Sequence, residues 1–141
     1  MPALLRHAYT KTNMYIIASD ATVVSRAAGR VLIAGTEANL DEIRAIVATL
    51  TEKARGQVFI EVPSAAEIDP IATPECVTVT WLPRDVRSGE MGSGLACVSG
   101  QAVGRAVRAW MGEMSTGDAE VDGDAVCVWV GRDVPNDFAT V

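Results

Sequence analysis

The chain has few of the residues that enzymes and metal proteins most often use at their sites. Its 141 residues include a single histidine, His7, and three cysteines with no Cys-x-x-Cys spacing. A catalytic thiol usually needs a histidine partner, and zinc sites usually need several histidine or cysteine ligands at short spacings. The sequence therefore argues against Cys–His catalysis and a histidine-based zinc site. We predict no metal site and assign no catalytic residue.

Cations and long apolar runs are scarce as well. The chain has 12 Lys and Arg residues against 18 Asp and Glu, for a net charge of −6, and five of the acids lie in the stretch 113–124. We interpret that stretch as a solvated loop, and the acidic balance predicts no nucleic-acid partner. No segment resembles a secretory signal or is apolar for long enough to cross a bilayer. We therefore predict a cytoplasmic protein without membrane insertion, in which Cys76, Cys97 and Cys127 are buried free thiols.

What the chain does contain is a strand–glycine–helix unit. The apolar run 31–34 reaches Gly35 and passes directly into a segment with apolar residues at helical spacing. These residues are Leu40, Ile43, Ile46, Val47 and Leu50. This order is typical of a doubly wound α/β domain, in which ligands bind at the carboxyl ends of the strands. A full G-x-G-x-x-G fingerprint would need three glycines where one stands, so the unit indicates a site without identifying its ligand.

The rest of the chain repeats this alternation. After the strand at 30–35, further strands are predicted at 57–62, 76–82, 95–99 and 125–130, with a sixth at an edge over 14–18. We predict an α/β fold with a doubly wound, mainly parallel five-stranded sheet in the order 3-2-1-4-5 and helices on both faces. The predicted domain covers residues 30–134, between an N-terminal extension, 1–29, and a C-terminal tail, 135–141.

That strand order places the turns after Gly35 and Gly100 on the two sides of one crevice. Thr36 and Ser99 supply hydroxyl groups beside these turns, and Arg84 follows the third strand. Hydroxyls, helix starts and guanidinium groups all suit phosphate. The same residues also have ordinary structural uses, because glycines turn the chain, hydroxyls cap helices and loop arginines are commonly solvated. From the residues alone both interpretations remain open.

Four segments in a fixed order resemble a known family. They are VLIAGTEANLDEIRAIVATL (31–50), GQVFIEVPSAAEID (56–69), VTVTWLPRD (77–85) and GRAVRAWM (104–111). Their order and spacing resemble the C-terminal domain of siderophore-interacting proteins, ferric-siderophore reductases related to the ferredoxin–NADP reductase superfamily. In that family this domain is the nicotinamide-binding half and follows an FAD-binding β-barrel. The resemblance covers residues 30–132.

The resemblance implies a set of cofactor-binding positions. The family's Gly-Asp-Glu corresponds to residues 35–37 and its Ala-Gly-Glu to residues 99–101, and one acidic residue of each motif is replaced here. The family's Trp-Leu-x-Arg-Asp signature is intact at 81–85. The implied contacts for NAD(P)H are Gly35, Thr36, Glu37, Arg84, Ser99, Gly100 and Gln101.

The resemblance also implies a function and its partners. An FAD-binding barrel needs on the order of 100 residues, and 29 precede Arg30, so we do not expect this chain alone to bind FAD. The expected protein is a stand-alone siderophore-interacting-protein-type domain, the nicotinamide-binding part of a ferric-siderophore reductase system. Its expected partner is a separate flavoprotein or a ferric siderophore. The alternative is a non-catalytic module derived from that domain, which forms homo-oligomers or binds a partner. Whether the chain by itself is an enzyme stays open.

Overall fold

One sheet organises the protein. The computed structural model describes residues 5–10, 13–18, 30–116, 126–132 and 134. Its strands are β1 (Leu5–Thr10), β2 (Asn13–Ala18), β3 (Arg30–Thr36), β4 (Arg55–Val62), β5 (Cys76–Pro83) and β6 (Val126–Val130). The α-helices are α1 (Leu40–Thr49) and α2 (Gln101–Thr116), and short 3-10 turns cover Glu37–Asn39, Ala65–Glu67 and Arg84–Val86.

The strand order confirms the predicted fold class. The sheet runs β1-β2-β6-β3-β4-β5. β1 and β2 pair antiparallel, and every other neighbouring pair is parallel. Numbered along the chain, the four strands from β3 to β6 therefore stand in the order 3-2-1-4. The chain leaves β3 for α1 on one face and reaches β6 after α2 on the other. The topological switch point consequently lies between the carboxyl ends of β3 and β6.

The predicted strand at 95–99 is not formed. This segment bonds to the loop before it: the Gly89 N–H donates to the Leu95 carbonyl at 2.7 Å, and one antiparallel bridge joins Ser88 and Ala96. The edge of β3 that the strand would have used is paired with β6 along most of its length. The fourth place of the predicted order 3-2-1-4-5 therefore belongs to the C-terminal strand, and no fifth strand of that order is present among the described residues.

The two helices cover opposite faces of the sheet, as predicted. Side chains alternate along β3, so that Val31 and Ile33 pack with Ile43 of α1 while Leu32 packs with Val103 of α2. All five are completely buried. The two apolar clusters hold the carboxyl ends of the parallel strands in a fixed relation, and these ends carry the candidate site.

Several smaller expectations are corrected at the periphery. The strand predicted at 14–18 is present within β2, but it lies between β1 and β6 and not at an edge. Cys76 begins β5 and is exposed, whereas Cys97 and Cys127 are buried free thiols as predicted. Burial raises the pKa of Cys127 to about 11, so this thiol is not a poised nucleophile. Residues 113–116 of the predicted acidic loop belong to α2, whereas the rest of that loop and the C-terminal tail lie outside the described residues. Neither α1 nor α2 combines the length and the apolar character needed to cross a membrane.

Candidate functional site

The turn after β3 is closed by Asn39. The Thr36 hydroxyl accepts a hydrogen bond from the Ala38 N–H at 3.3 Å, and the Asn39 Oδ1 accepts one from the Thr36 N–H at 3.0 Å. This reciprocal capping box satisfies N–H groups that the start of a helical segment leaves unpaired. Gly35 allows the close approach, because a Cβ there would lie 2.9 Å from the Cβ of Asn39 and 2.9 Å from the Cδ1 of Ile43.

The same asparagine reaches the switch point. Gly131 follows β6, and its N–H donates to the Ala34 carbonyl at 2.9 Å. A Cβ on Gly131 would overlap the Oδ1 of Asn39 and would lie 2.8 Å from its Nδ2. Because Oδ1 is the acceptor for the Thr36 N–H, the amide orientation is set and Nδ2 is a donor. Asn39 is only 6% exposed, and its Nδ2 donates to no acceptor in the described part of the chain. Within the described residues, this buried amide donor at the switch point is therefore uncompensated.

Glu61, near the carboxyl end of β4, is a fully buried carboxylate. Its Oε2 accepts from the Gly100 N–H at 2.7 Å, and its Oε1 accepts from the N–H groups of Ala102 at 2.8 Å and Val103 at 3.1 Å. These groups form the start of α2, where the helix dipole favours a negative charge. The carboxylate of Glu61 therefore fills the helix start at which an anionic ligand group would otherwise bind.

Arg84 joins the carboxyl ends of three neighbouring strands. It follows β5, and its Nη1 donates to Oε2 of Glu61 at 2.6 Å. Its Nη1 and Nη2 also donate to the two carboxylate oxygens of Glu37, which follows β3, at 3.0 and 2.6 Å. The exposed fractions of the side chains are 12% for Arg84, 0% for Glu61 and 39% for Glu37. We call these three residues the edge cluster. Its formal charge is −1, and its most exposed charged group is the carboxylate of Glu37.

The hydrogen bonds of the edge cluster favour the ionised forms of Glu37 and Arg84. The hydrogen bond from Arg84 lowers the pKa of Glu37 below its ordinary value, and partial burial opposes this effect. The pKa of Arg84 is raised above its ordinary value, first by the hydrogen bond to Glu37 and further by the one to Glu61, against the effect of burial. Both shifts move the titrations of Glu37 and Arg84 away from neutral pH. The pair therefore acts as a fixed ion pair and not as an acid–base pair.

The turn before α2 serves Glu61. Gly100 has a φ of +89°, in the left-handed region that favours glycine, and its N–H faces Glu61. The Oε1 of Gln101 accepts from the Val98 N–H at 3.1 Å and closes the turn. Ser99 is exposed. The predicted positions 99–101 thus build the helix start, and the Glu61 side chain already uses its inward-facing N–H groups.

The loop between β5 and α2 is held at its base and apolar at its surface. Arg105 of α2 donates to the carbonyl groups of Ser88 at 2.6 Å and Gly89 at 2.8 Å. Beyond this anchor, four large apolar residues are between 68% and 98% exposed. They are Val86, Met91, Leu95 and Val98, which we call the apolar loop surface. Three of them, at positions 86, 91 and 95, line one open depression.

The structure groups the predicted site residues differently from the sequence prediction. Gly35 and Glu37 lie at the carboxyl edge with Arg84, and Gly100 is linked to them through Glu61. The prediction that Gly35 and Gly100 flank one crevice is wrong, because β6 occupies the place beside β3 that the strand before Gly100 was expected to take. The glycine that faces the first turn across the switch point is Gly131.

Sequence reasoning missed Asn39, Glu61 and Gly131. The Thr-x-x-Asn spacing at 36–39 is a capping pattern that would have found Asn39. Glu61 is the lone acid in the apolar run QVFIEV, and a charge in a buried strand needs compensation. No pattern along the chain pairs Gly131 with Asn39, because their contact depends on which strand lies beside β3.

Comparison with known proteins gives a family match and similar solved structures. The family model described as siderophore-interacting protein matches residues 28–131. The siderophore-interacting protein SipS from Aeromonas hydrophila is 20% identical with a TM-score of 0.47, over 74% of this chain and 38% of its own. A siderophore utilization protein from T. fusca is 20% identical with a TM-score of 0.41, over 79% of this chain and 48% of its own. This chain thus spans less than half the length of either structure. No match is found among curated proteins.

Proposed function

The chain belongs to the siderophore-interacting protein family, and from that premise we propose that it binds a nicotinamide dinucleotide at the carboxyl ends of β3 and β6. In this proposal it is the nicotinamide-binding part of a ferric-siderophore reductase system, and a separate flavoprotein supplies the flavin. NAD(P)H would supply a hydride to that flavin.

The observation that carries the proposal is the uncompensated amide of Asn39. Open α/β sheets bind ligands at the switch point, and here a buried donor lies there between two glycines. Gly35 and Gly131 keep the backbone free of Cβ atoms on both sides of Asn39. A pyrophosphate oxygen is an acceptor of the kind that Nδ2 lacks, and the start of α1 beside it favours negative charge. These residues therefore fit the group that the family implies.

The other residues of the site have positioning roles in this proposal. Thr36 holds Asn39 through the capping box, so that Nδ2 keeps its direction. Glu37 presents a carboxylate that can accept hydrogen bonds from ribose hydroxyls. Arg84 orients Glu37 and holds Glu61 on α2, which fixes the edge around the nucleotide.

Calorimetric titration with NADH and with NADPH tests the proposal. We expect heat of binding with at least one nucleotide for the wild-type protein. Asn39→Asp keeps an oxygen for the Thr36 N–H but replaces the free donor by a negative charge. We expect this variant to bind at least about tenfold more weakly, because like charges meet at the pyrophosphate. The control is Glu52→Gln, which lies in the loop before β4, at the amino ends of the parallel strands. Absence of heat with either nucleotide up to millimolar concentration would remove the cofactor role.

A second candidate function is favoured by the apolar loop surface. Monomeric proteins rarely expose several large apolar side chains together, and such surfaces commonly mark protein contacts. The alternative is therefore a non-catalytic module that associates with itself or with a partner through this loop. A monomer at all concentrations with clean nucleotide binding would count against it.

A further inference from the structure

We infer that the edge cluster makes this site select NADH over NADPH, with Glu37 as the residue that decides the preference. The inference rests on the proposed nucleotide binding and names its specificity. It assigns Arg84 a positioning role in place of the phosphate contact that the sequence alone suggests.

A ribose bound at this end of the sheet would meet the carboxylate of Glu37 and not that of Glu61. In dinucleotide-binding folds an acidic residue about 20 residues after the glycine turn, at the end of the next strand, accepts the ribose 2′-hydroxyl. Glu61 stands at that place, near the end of β4, but it is completely buried, and the N–H groups of Gly100, Ala102 and Val103 bond to its oxygens. Arg84 bridges from Glu61 to Glu37 and so brings a second, exposed carboxylate to the same edge.

The guanidinium of Arg84 is already committed to the two carboxylates of the edge cluster. A 2′-phosphate needs a cation, and Arg84 would normally serve as its guanidinium partner. Here all three of its hydrogen bonds go to carboxylates, and its side chain is only 12% exposed. Turning to a phosphate would uncouple Arg84 from the buried charge of Glu61, and breaking a buried ion pair is strongly unfavourable.

The net charge of the edge cluster disfavours a 2′-phosphate. The edge cluster carries a formal charge of −1, exposed chiefly at Glu37, and a 2′-phosphate adds a charge of about −1.5 to −2 at neutral pH. The two would repel. The 2′-hydroxyl of NADH is instead a donor to the same carboxylate. Arg105 offers no substitute cation, because its guanidinium is bonded to the carbonyl groups of Ser88 and Gly89.

The test compares dissociation constants of NADH and NADPH at low ionic strength for four proteins. They are the wild type, Glu37→Gln, Glu37→Asp and the matched control Glu52→Gln. We expect the wild type to bind NADH at least about tenfold more tightly. Glu37→Gln should bring the ratio close to one, mainly by strengthening NADPH binding. Glu37→Asp keeps the negative charge and should keep the preference for NADH. The control Glu52→Gln, at the amino ends of the parallel strands, should keep it as well.

The outcomes separate this inference from the proposed function. If at least one nucleotide binds and the wild type shows no preference, or prefers NADPH, nucleotide binding stands and the inference fails. A preference for NADH that survives Glu37→Gln also overturns it, because the charge of Glu37 would then not be the cause. If neither nucleotide binds any of the four proteins, the proposed function itself fails and the inference fails with it.

Discussion

Glu61 shows how much of this site depends on one charged group. A buried carboxylate is costly unless its oxygens are compensated, and three N–H groups and one guanidinium compensate Glu61. Glu61→Ala leaves those donors and the charge of Arg84 without their acceptor. We expect it to lower the free energy of unfolding by about 3–5 kcal/mol.

Glu61→Gln separates the charge of this residue from its shape. The glutamine keeps one carbonyl oxygen at the start of α2, so the expected loss is smaller, about 1–3 kcal/mol. Urea denaturation, followed by circular dichroism, measures the free energy of unfolding of both variants. The control variant is Glu67→Gln, which changes an exposed glutamate in the turn that follows β4. Equal stability of wild type and Glu61→Ala would show that the carboxylate does not hold α2 in place.

The ion pair between Glu37 and Arg84 predicts a pH dependence. Arg84 holds the pKa of Glu37 below its ordinary value of 4.5, so the folded state favours the ionised carboxylate. The resulting stabilisation is fully present above pH 4.5 and is lost as the pH falls through the lowered pKa. We expect the wild type to lose its stability advantage over Glu37→Gln progressively as the pH falls below 4.5. The effect is small, because the Glu37 side chain is 39% exposed.

Denaturation of the wild type and of Glu37→Gln at each pH measures the difference between their free energies of unfolding. The titration of other groups affects both proteins and largely cancels in this difference. The prediction is wrong if the advantage of the wild type grows as the pH falls. The same result would contradict the fixed ion pair on which the specificity inference depends.

Among the secondary-structure elements, the residue that follows β6, Gly131, packs closely against the turn before α1. A Cβ on Gly131 would overlap the side chain of Asn39. We expect Gly131→Ala to cost about 1–3 kcal/mol, because the capping side chain must move. Combining it with Asn39→Ala, which removes that side chain, should cost less than the sum of the two single changes. A double-mutant cycle with a coupling of about 0.5–3 kcal/mol is expected, and simple additivity would contradict the contact.

The elements also show what the sequence could and could not predict. The strand and helix around Gly35 were predictable, because the apolar run and the helical spacing are both local signals. The segment 95–99 was mispredicted, because a short apolar run does not reveal whether a sheet edge is free to pair with it. β6 takes that edge, and its position also decides that Gly131, and not Gly100, faces Asn39. The hydrogen bonds of Glu61 join residues 23 to 42 positions apart, and no local pattern specifies such contacts.

In the molecule as a whole, the parallel pairing of the strands brings the candidate site residues to one end of the sheet, where the carboxyl ends of the strands lie. Turns after β3, β4, β5 and β6 all meet there, so residues far apart in the chain become neighbours. The family match supports the fold, while the nicotinamide, the flavoprotein partner and the cytoplasmic location remain predictions. The apolar loop surface lies in the segment that connects β5 to α2, directly after Arg84. A partner bound to this loop would therefore lie close to the proposed nucleotide site.

The apolar loop surface gives a test at this scale. Exposed apolar side chains favour association because contact removes them from water. We expect light scattering to show the average mass rising above 14.9 kDa as the protein is concentrated. Met91→Ser with Leu95→Ser should keep the protein monomeric, since these side chains are 98% and 70% exposed. Ile68→Ser, which alters an apolar side chain outside this loop, should associate like the wild type. A constant monomer mass for all three proteins would show that the loop does not drive self-association and would leave a different protein as its partner.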